Sequence, residues 1–100
     1  MVNDDNKYKI IWTEIAKNDL KDIYEFYKVK SLIAAKKIIK EIAIAPKSVY
    51  FPEQNQVESL EKGYRRIIIR NYKMFYRINE KENILYIIGI IDTRSDAKNI

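Results

Sequence analysis

Residues 64–78 read YRRIIIRNYKMFYRI, and the alternation within them decides the fold. Two apolar runs, 64–69 and 72–78, flank Arg70-Asn71, a dipeptide suited to a tight turn because Asn tolerates positive φ. The pattern predicts a β-hairpin. Side chains alternate along a strand, so Tyr72, Met74, Tyr76 and Ile78 make one continuous apolar face of the second strand, while Lys73 and Arg77 flank Phe75 on the other. In the first strand Ile67 and Ile69 share a face with Arg65, and Tyr64, Arg66, Ile68 and Arg70 share the opposite one. The register between the strands decides whether Arg65 or Arg66 joins Lys73 and Arg77 on the open side.

Working outward, a third strand candidate at 84–92 follows the polar NEKEN of 79–83. Upstream, KYKIIW at 7–12 reads as a strand, and Thr13 then stands at an N-cap position with Glu14 in the first turn of a helix. Ala16, Leu20, Ile23 and Tyr27 trace the apolar stripe of that helix to about Lys30. Ser31 is placed to cap a second helix, where Leu32, Ala35, Ile38, Ile39, Ile42 and Ala45 share a face until Pro46 stops it. A continuous rod over 14–45 would span about 48 Å against a domain diameter of about 26 Å, so the chain is expected to fold back near 29–31. Residues 47–63, with Pro52 and Gly63, read as a connecting loop with a short turn around 57–62. The order β-α-α-β-β-β predicts an α+β fold, an αα-hairpin packed on a mostly antiparallel sheet, as a single domain over 1–100.

Composition narrows the chemistry. The chain has no Cys and no His, which excludes disulfides, thiolate nucleophiles and zinc-ribbon sites and removes the commonest metal ligand. No cofactor or metal is expected, and any acid-base work falls to Glu, Asp, Lys, Arg and Tyr. The N-terminus, MVNDDNKYKIIW, lacks a basic segment followed by an apolar one, and no apolar run approaches the ~18 residues of a membrane span. A cytoplasmic protein with no membrane contact is the expectation.

The net charge of +5 is unevenly spread. Residues 62–81 hold Lys62, Arg65, Arg66, Arg70, Lys73, Arg77 and Lys81 against the single acid Glu80. Such cations solvate an open sheet face and guard its edge against pairing with other sheets. Interleaved with tyrosines they also suit a polyanion or an acidic peptide, which makes Tyr64, Arg66, Arg70 and Arg77 the candidate target-binding residues.

Leu60 before Gly63-Tyr64-Arg65-Arg66, the string Asn71-Tyr72-Lys73-Met74-Phe75-Tyr76-Arg77-Ile78, and the ending Ile90-Ile91-Asp92-Thr93-Arg94-Ser95-Asp96 together resemble the RelE/ParE superfamily of bacterial toxins over nearly the whole chain. The resemblance implies the toxin of a type II toxin-antitoxin pair, held by a cognate antitoxin that wraps an extended or helical segment over it. RelE-like members cut mRNA in the ribosome, and ParE-like members poison DNA gyrase without a nuclease site. For the RNA-cutting chemistry, which needs charge stabilisation on the phosphate, the matching positions are Arg65, Lys73 and Arg94. Two departures stand out: RNA-cutting members place a Tyr or His near the last Arg, whereas this chain ends IIGIIDTRSDAKNI, and Lys73 stands where an Arg is usual. Glu53, Glu58 and Glu61 of the 47–63 loop are candidates for a substitute base. The resemblance therefore favours a ParE-like, non-catalytic gyrase inhibitor, with a RelE-like mRNA endonuclease and a non-toxic nucleic-acid-binding module as alternatives. The antitoxin is expected on exposed apolar residues of the helices and sheet edge, its acids toward the cations.

Overall fold

In the computed structural model, which describes residues 7–94, the elements run β1 (Lys9–Trp12), α1 (Glu14–Lys28), α2 (Leu32–Ile44), a 3-10 turn (Ala45–Ser48), β2 (Val57–Ser59), β3 (Tyr64–Ile69), β4 (Tyr72–Asn79) and β5 (Ile84–Asp92). All five strands form one sheet in the order β1-β5-β4-β3-β2. β1 runs parallel to β5 and the other neighbours are antiparallel, the α+β arrangement expected from the sequence with one strand added. Both helices lie on one face of the sheet. Between them, Tyr27 O accepts from the amides of Lys30 and Ser31 at 2.9 Å each, and the Ser31 hydroxyl accepts from the Ala34 amide, so the chain reverses where the length argument places it.

The core lies between the helices and the sheet. Ala16 and Ile23 of α1 and Ile38 and Ile42 of α2 meet Tyr72, Met74, Tyr76, Leu85, Ile87 and Ile90. The three β5 residues in this set break strict alternation, because one residue is inserted between the partners of Phe75 and Tyr76. This bulge turns Ile90 as well as Leu85 and Ile87 toward the helices. Two side chains of α1 hold it there. The Thr13 hydroxyl donates to Ile87 O at 2.7 Å while capping the Ala16 amide, and the Asp19 carboxylate accepts from the Ile90 amide at 2.9 Å. Gly89 permits this close approach, since a Cβ there would lie 3.2 Å from Asp19 Oδ2.

Three local expectations are corrected. The 47–63 segment is more than a loop. It begins with the last residues of the 3-10 turn, which contains a buried Pro46, and later contributes β2, whose three residues are too few to display a period. In the β3–β4 turn the positive φ belongs to Arg70 (56°), because Asn71 is engaged elsewhere: its amide donates to Asp92 and its carbonyl accepts from Thr93. Arg70 is held over the turn by a bidentate pair with Glu41 of α2, at 2.7 and 2.9 Å. Finally, α1 ends at Lys28, two residues early, because Val29 already serves as its C-cap.

The bulge makes a double-mutant prediction. Gly89→Ala is expected to lower stability by about 1–3 kcal/mol, as the new methyl displaces Asp19 and leaves the Ile90 amide unpaired. In an Asp19→Ala background the same change is expected to be neutral or stabilising, since Ala suits a strand better than Gly and the obstruction is gone. Urea denaturation of the four proteins checks this; additive losses would refute it.

Candidate functional site

The sheet face turned away from the helices carries the basic hairpin. The register pairs Arg66 with Phe75, Ile68 with Lys73 and Arg77 with Tyr86, which places all six on this face and settles that Arg66 joins Lys73 and Arg77. Tyr64 follows Arg66 by strand parity. The surface is a band of alternating cations and rings: Lys73 Nζ lies 5.9 Å from the Phe75 ring centre, and the Arg77 guanidinium stands 5.2 Å from that of Tyr86. Glu58 of β2 occupies its edge, 2.8 Å from Arg66 and 3.6 Å from Lys73. The hydrogen bond from Arg66, with Lys73 nearby, holds the Glu58 carboxyl below its ordinary pKa, so it is an ionised clamp and a poor proton acceptor. Arg77 is exposed, and among the described residues no carboxylate lies within ion-pair distance of it.

Arg65 belongs to the opposite face. It pairs with the buried Tyr76 and donates to Asn55 O, while the Asn55 amide donates to the Tyr76 hydroxyl at 3.0 Å. Here the helices do not cover the sheet, and a cavity of about 230 Å³ opens, lined by Arg65, Tyr76, Glu53, Glu80 and the apolar Val57 and Leu60. Burial pushes the Tyr76 hydroxyl up in pKa.

Arg94 stands at the far end of β5. Asp92 accepts from the Arg94 amide at 2.9 Å and from its guanidinium at 3.2 Å, and also takes the Asn71 amide. These bonds, led by the Arg94 side chain, lower the Asp92 carboxyl to about 2. Tyr27 of α1 lies beside Arg94, its hydroxyl 3.4 Å from that of the buried Tyr72, whose pKa burial drives upward. Along β4, the partners of Arg65 and Asp92 are Tyr76 and Tyr72, four residues or about 13 Å apart. Arg65, Lys73 and Arg94 are therefore spread over two faces and two ends of the sheet, each engaged by its own partner.

A model of ParE toxins of type II toxin-antitoxin systems (parDE) matches residues 10–97. The chain belongs to this ParE toxin family. Solved structures agree in fold. A chromosomal ParDE system from P. aeruginosa superposes with a TM-score of 0.70 at 22% identity, covering 87% of this chain and 97% of that one. The RelBE2 toxin-antitoxin complex from Mycobacterium tuberculosis gives 0.57 at 19% identity, over 86% and 91%. The isolated E. coli RelE toxin gives 0.54 at 14%, over 92% and 96%. No curated protein matches the sequence. The RelE/ParE resemblance read from the YRR, NYKMFYRI and DTR segments is thus the right one.

Within this ParE-family chain, the residues chosen from sequence divide by what holds them. Tyr64, Arg66, Lys73 and Arg77 share the open face; Arg65 faces the cavity; Arg70 is bound to α2; Arg94 is clamped beside Tyr27. Of the loop glutamates, Glu58 enters the open face and Glu53 the cavity, and Glu61 is exposed. Ser95 and Asp96 lie outside the described residues. Sequence reading missed Tyr27 and Asn55, whose polar contacts span 45 and 21 residues, because each occupies a position that helix or loop patterning explains by itself.

The Asp92–Arg94 pair has a pH signature. A carboxyl lowered from 3.8 to about 2 contributes stability that is complete above 3.8 and is lost as pH falls toward 2. Asp92→Asn is expected to flatten that part of the acid-unfolding curve without changing the loss due to other carboxylates. Identical slopes for both proteins between pH 4 and 2 would show that the pair does not form.

Proposed function

We propose that this ParE-family toxin acts without catalysis, arresting growth by binding DNA gyrase in the cytoplasm through its open sheet face, and that a cognate antitoxin neutralises it. The dispersal of Arg65, Lys73 and Arg94 carries the reading. A phosphoryl-transfer site needs its charge-stabilising cations converged on one phosphate, within hydrogen-bonding reach of the same oxygens. Here two of the three lie on opposite faces, and Lys73 and Arg94 are both neutralised by a carboxylate. Among the described residues, Glu58 is the carboxylate paired with the open-face cations, and it is held ionised by the groups a catalytic phosphate would need.

The open face suits protein recognition instead. Exposed Ile68 and, on the same face, Phe75, Tyr64 and Tyr86 supply apolar and aromatic area, and Arg77 supplies a cation that has, among the described residues, no internal acid to release before binding. Arg66 and Lys73 are pre-oriented by Glu58 and position the surface. The antitoxin partner is supported by the family and by the RelBE2 relative, which is a toxin-antitoxin complex.

Induction of the chain in a bacterial host, with thymidine and amino-acid incorporation followed over the first minutes, tests the target. DNA synthesis is expected to fall first. An earlier fall of protein synthesis would instead indicate an mRNA endonuclease, and harmless expression of folded protein with salt-sensitive nucleic-acid binding would indicate a simple binding module. Arg77→Ala is expected to reduce growth arrest while leaving Tm unchanged, since the side chain is exposed; undiminished toxicity would move the contact off this face.

A further inference from the structure

The cavity beside β3 and β4 holds charges of both signs that do not meet. Val57, Arg65 and Tyr76 stand opposite one another across β2, β3 and β4 and form one end of it. From Tyr76 its wall continues through Ile78 to Glu80, along roughly 13 Å of chain. Among the described residues Glu53 and Glu80 have no cation within ion-pair distance and Arg65 has no carboxylate; its guanidinium donates to Asn55 O instead. Tyr8 marks the acidic end. The Lys9 amide donates to Asn83 O at 2.9 Å, which brings Tyr8 to the β4–β5 turn that contains Glu80. Tyr8 is only 4% exposed, and its hydroxyl is buried without a hydrogen-bond partner among the described residues. Burial first, then the charges of Glu80 and Glu53 and the hydroxyl of Tyr76, push that hydroxyl up in pKa, so it stays protonated among groups that line the cavity. A buried hydroxyl in that state costs stability, which a ligand that bonds to it restores.

We propose that this cavity binds a small zwitterion whose ammonium and carboxylate stand at opposite ends of an apolar stem, an ω-amino acid or a short apolar peptide. The ammonium pairs with Glu80 and Glu53 and donates to the Tyr8 hydroxyl. The carboxylate takes the guanidinium nitrogens of Arg65 that Asn55 leaves free, and the stem lies along Ile78, Leu60 and Val57. A ligand with both charges satisfies both ends of the cavity at once, whereas a simple cation would face Arg65 and a simple anion would face two glutamates. The volume of about 230 Å³ is below the roughly 300–1,000 Å³ of pockets for drug-sized molecules, which restricts the ligand to a small one. The cavity opens on the opposite side of the sheet from Arg66, Lys73 and Arg77, so the inference does not depend on the gyrase reading of the open face.

The test is calorimetric titration of the purified chain with ε-aminocaproate and with leucyl-leucine, against hexylamine and hexanoate as controls that carry one charge each. At least one zwitterion is expected to bind about tenfold or more tighter than either control, and the better of the two tells an ω-amino acid from a peptide. Glu80→Gln is expected to weaken binding of the zwitterion and of hexylamine but not of hexanoate, and Arg65→Gln to weaken the zwitterion and hexanoate but not hexylamine. General loss of fold does not produce that crossed pattern, and the exposed Glu80 keeps the test decisive if Arg65→Gln does not fold. Tyr8→Phe is expected to lower zwitterion affinity while preserving or raising Tm, since it removes an unpaired buried hydroxyl. No saturable binding of either zwitterion, hexylamine bound as tightly as the zwitterions, or equal losses for all probes in the folded variants overturns the proposal.

Discussion

The fold depends on how α1 is fastened to the bulged centre of β5. Helices pack on sheets through apolar contact that is tolerant of sliding, whereas hydrogen bonds are not. Thr13 and Asp19, six residues apart on one helix, bind Ile87 and Ile90 on either side of the inserted residue. They fix the helix along the strand and satisfy a backbone amide that the bulge would otherwise strand without a partner. With α1 so placed, Tyr27 arrives beside Tyr72 and Arg94, and α2 returns over Tyr72 and Met74.

Electrostatics then separates structural cations from available ones. Of the cations in the hairpin and at the end of β5, Arg66 and Lys73 share Glu58, Arg70 holds Glu41, and Arg94 holds Asp92. Each pair joins elements distant in sequence or closes a strand end, so most of the apparent positive field is consumed in positioning the sheet edge, the turn and the terminus. Among the described residues Arg65 and Arg77 have no carboxylate partner: Arg65 is turned into the cavity, where it donates to Asn55 O, and Arg77 is poised over an aromatic ring on a face without helices. A net charge of +5 says little about a partner, and the identity of the uncompensated residues says more.

Much was legible beforehand because periodicity and capping are local. The helices, the fold-back, the three long strands and the apolar face of Tyr72, Met74, Tyr76 and Ile78 all follow from spacing, and the superfamily was legible in three short segments whose order mattered more than any one of them. What escaped was non-local. β2 has three residues and exists only because β3 offers it an edge. Arg70 adopts a positive φ that Asn71 was expected to take, because contacts to Glu41 and Asp92 outweigh intrinsic preference.

The sequence by itself determined the element order, the amphipathic faces and the set of chemical groups, since these depend on residue identity within one or two turns of chain. Only the tertiary structure decided which groups meet. A slip of one residue between β3 and β4 would have placed Arg65 with Lys73 and Arg66 in the cavity, and nothing in the local pattern prohibits it. Register is set by the whole sheet closing on the helices. That closure spreads Arg65, Lys73 and Arg94 apart and leaves Arg77 open.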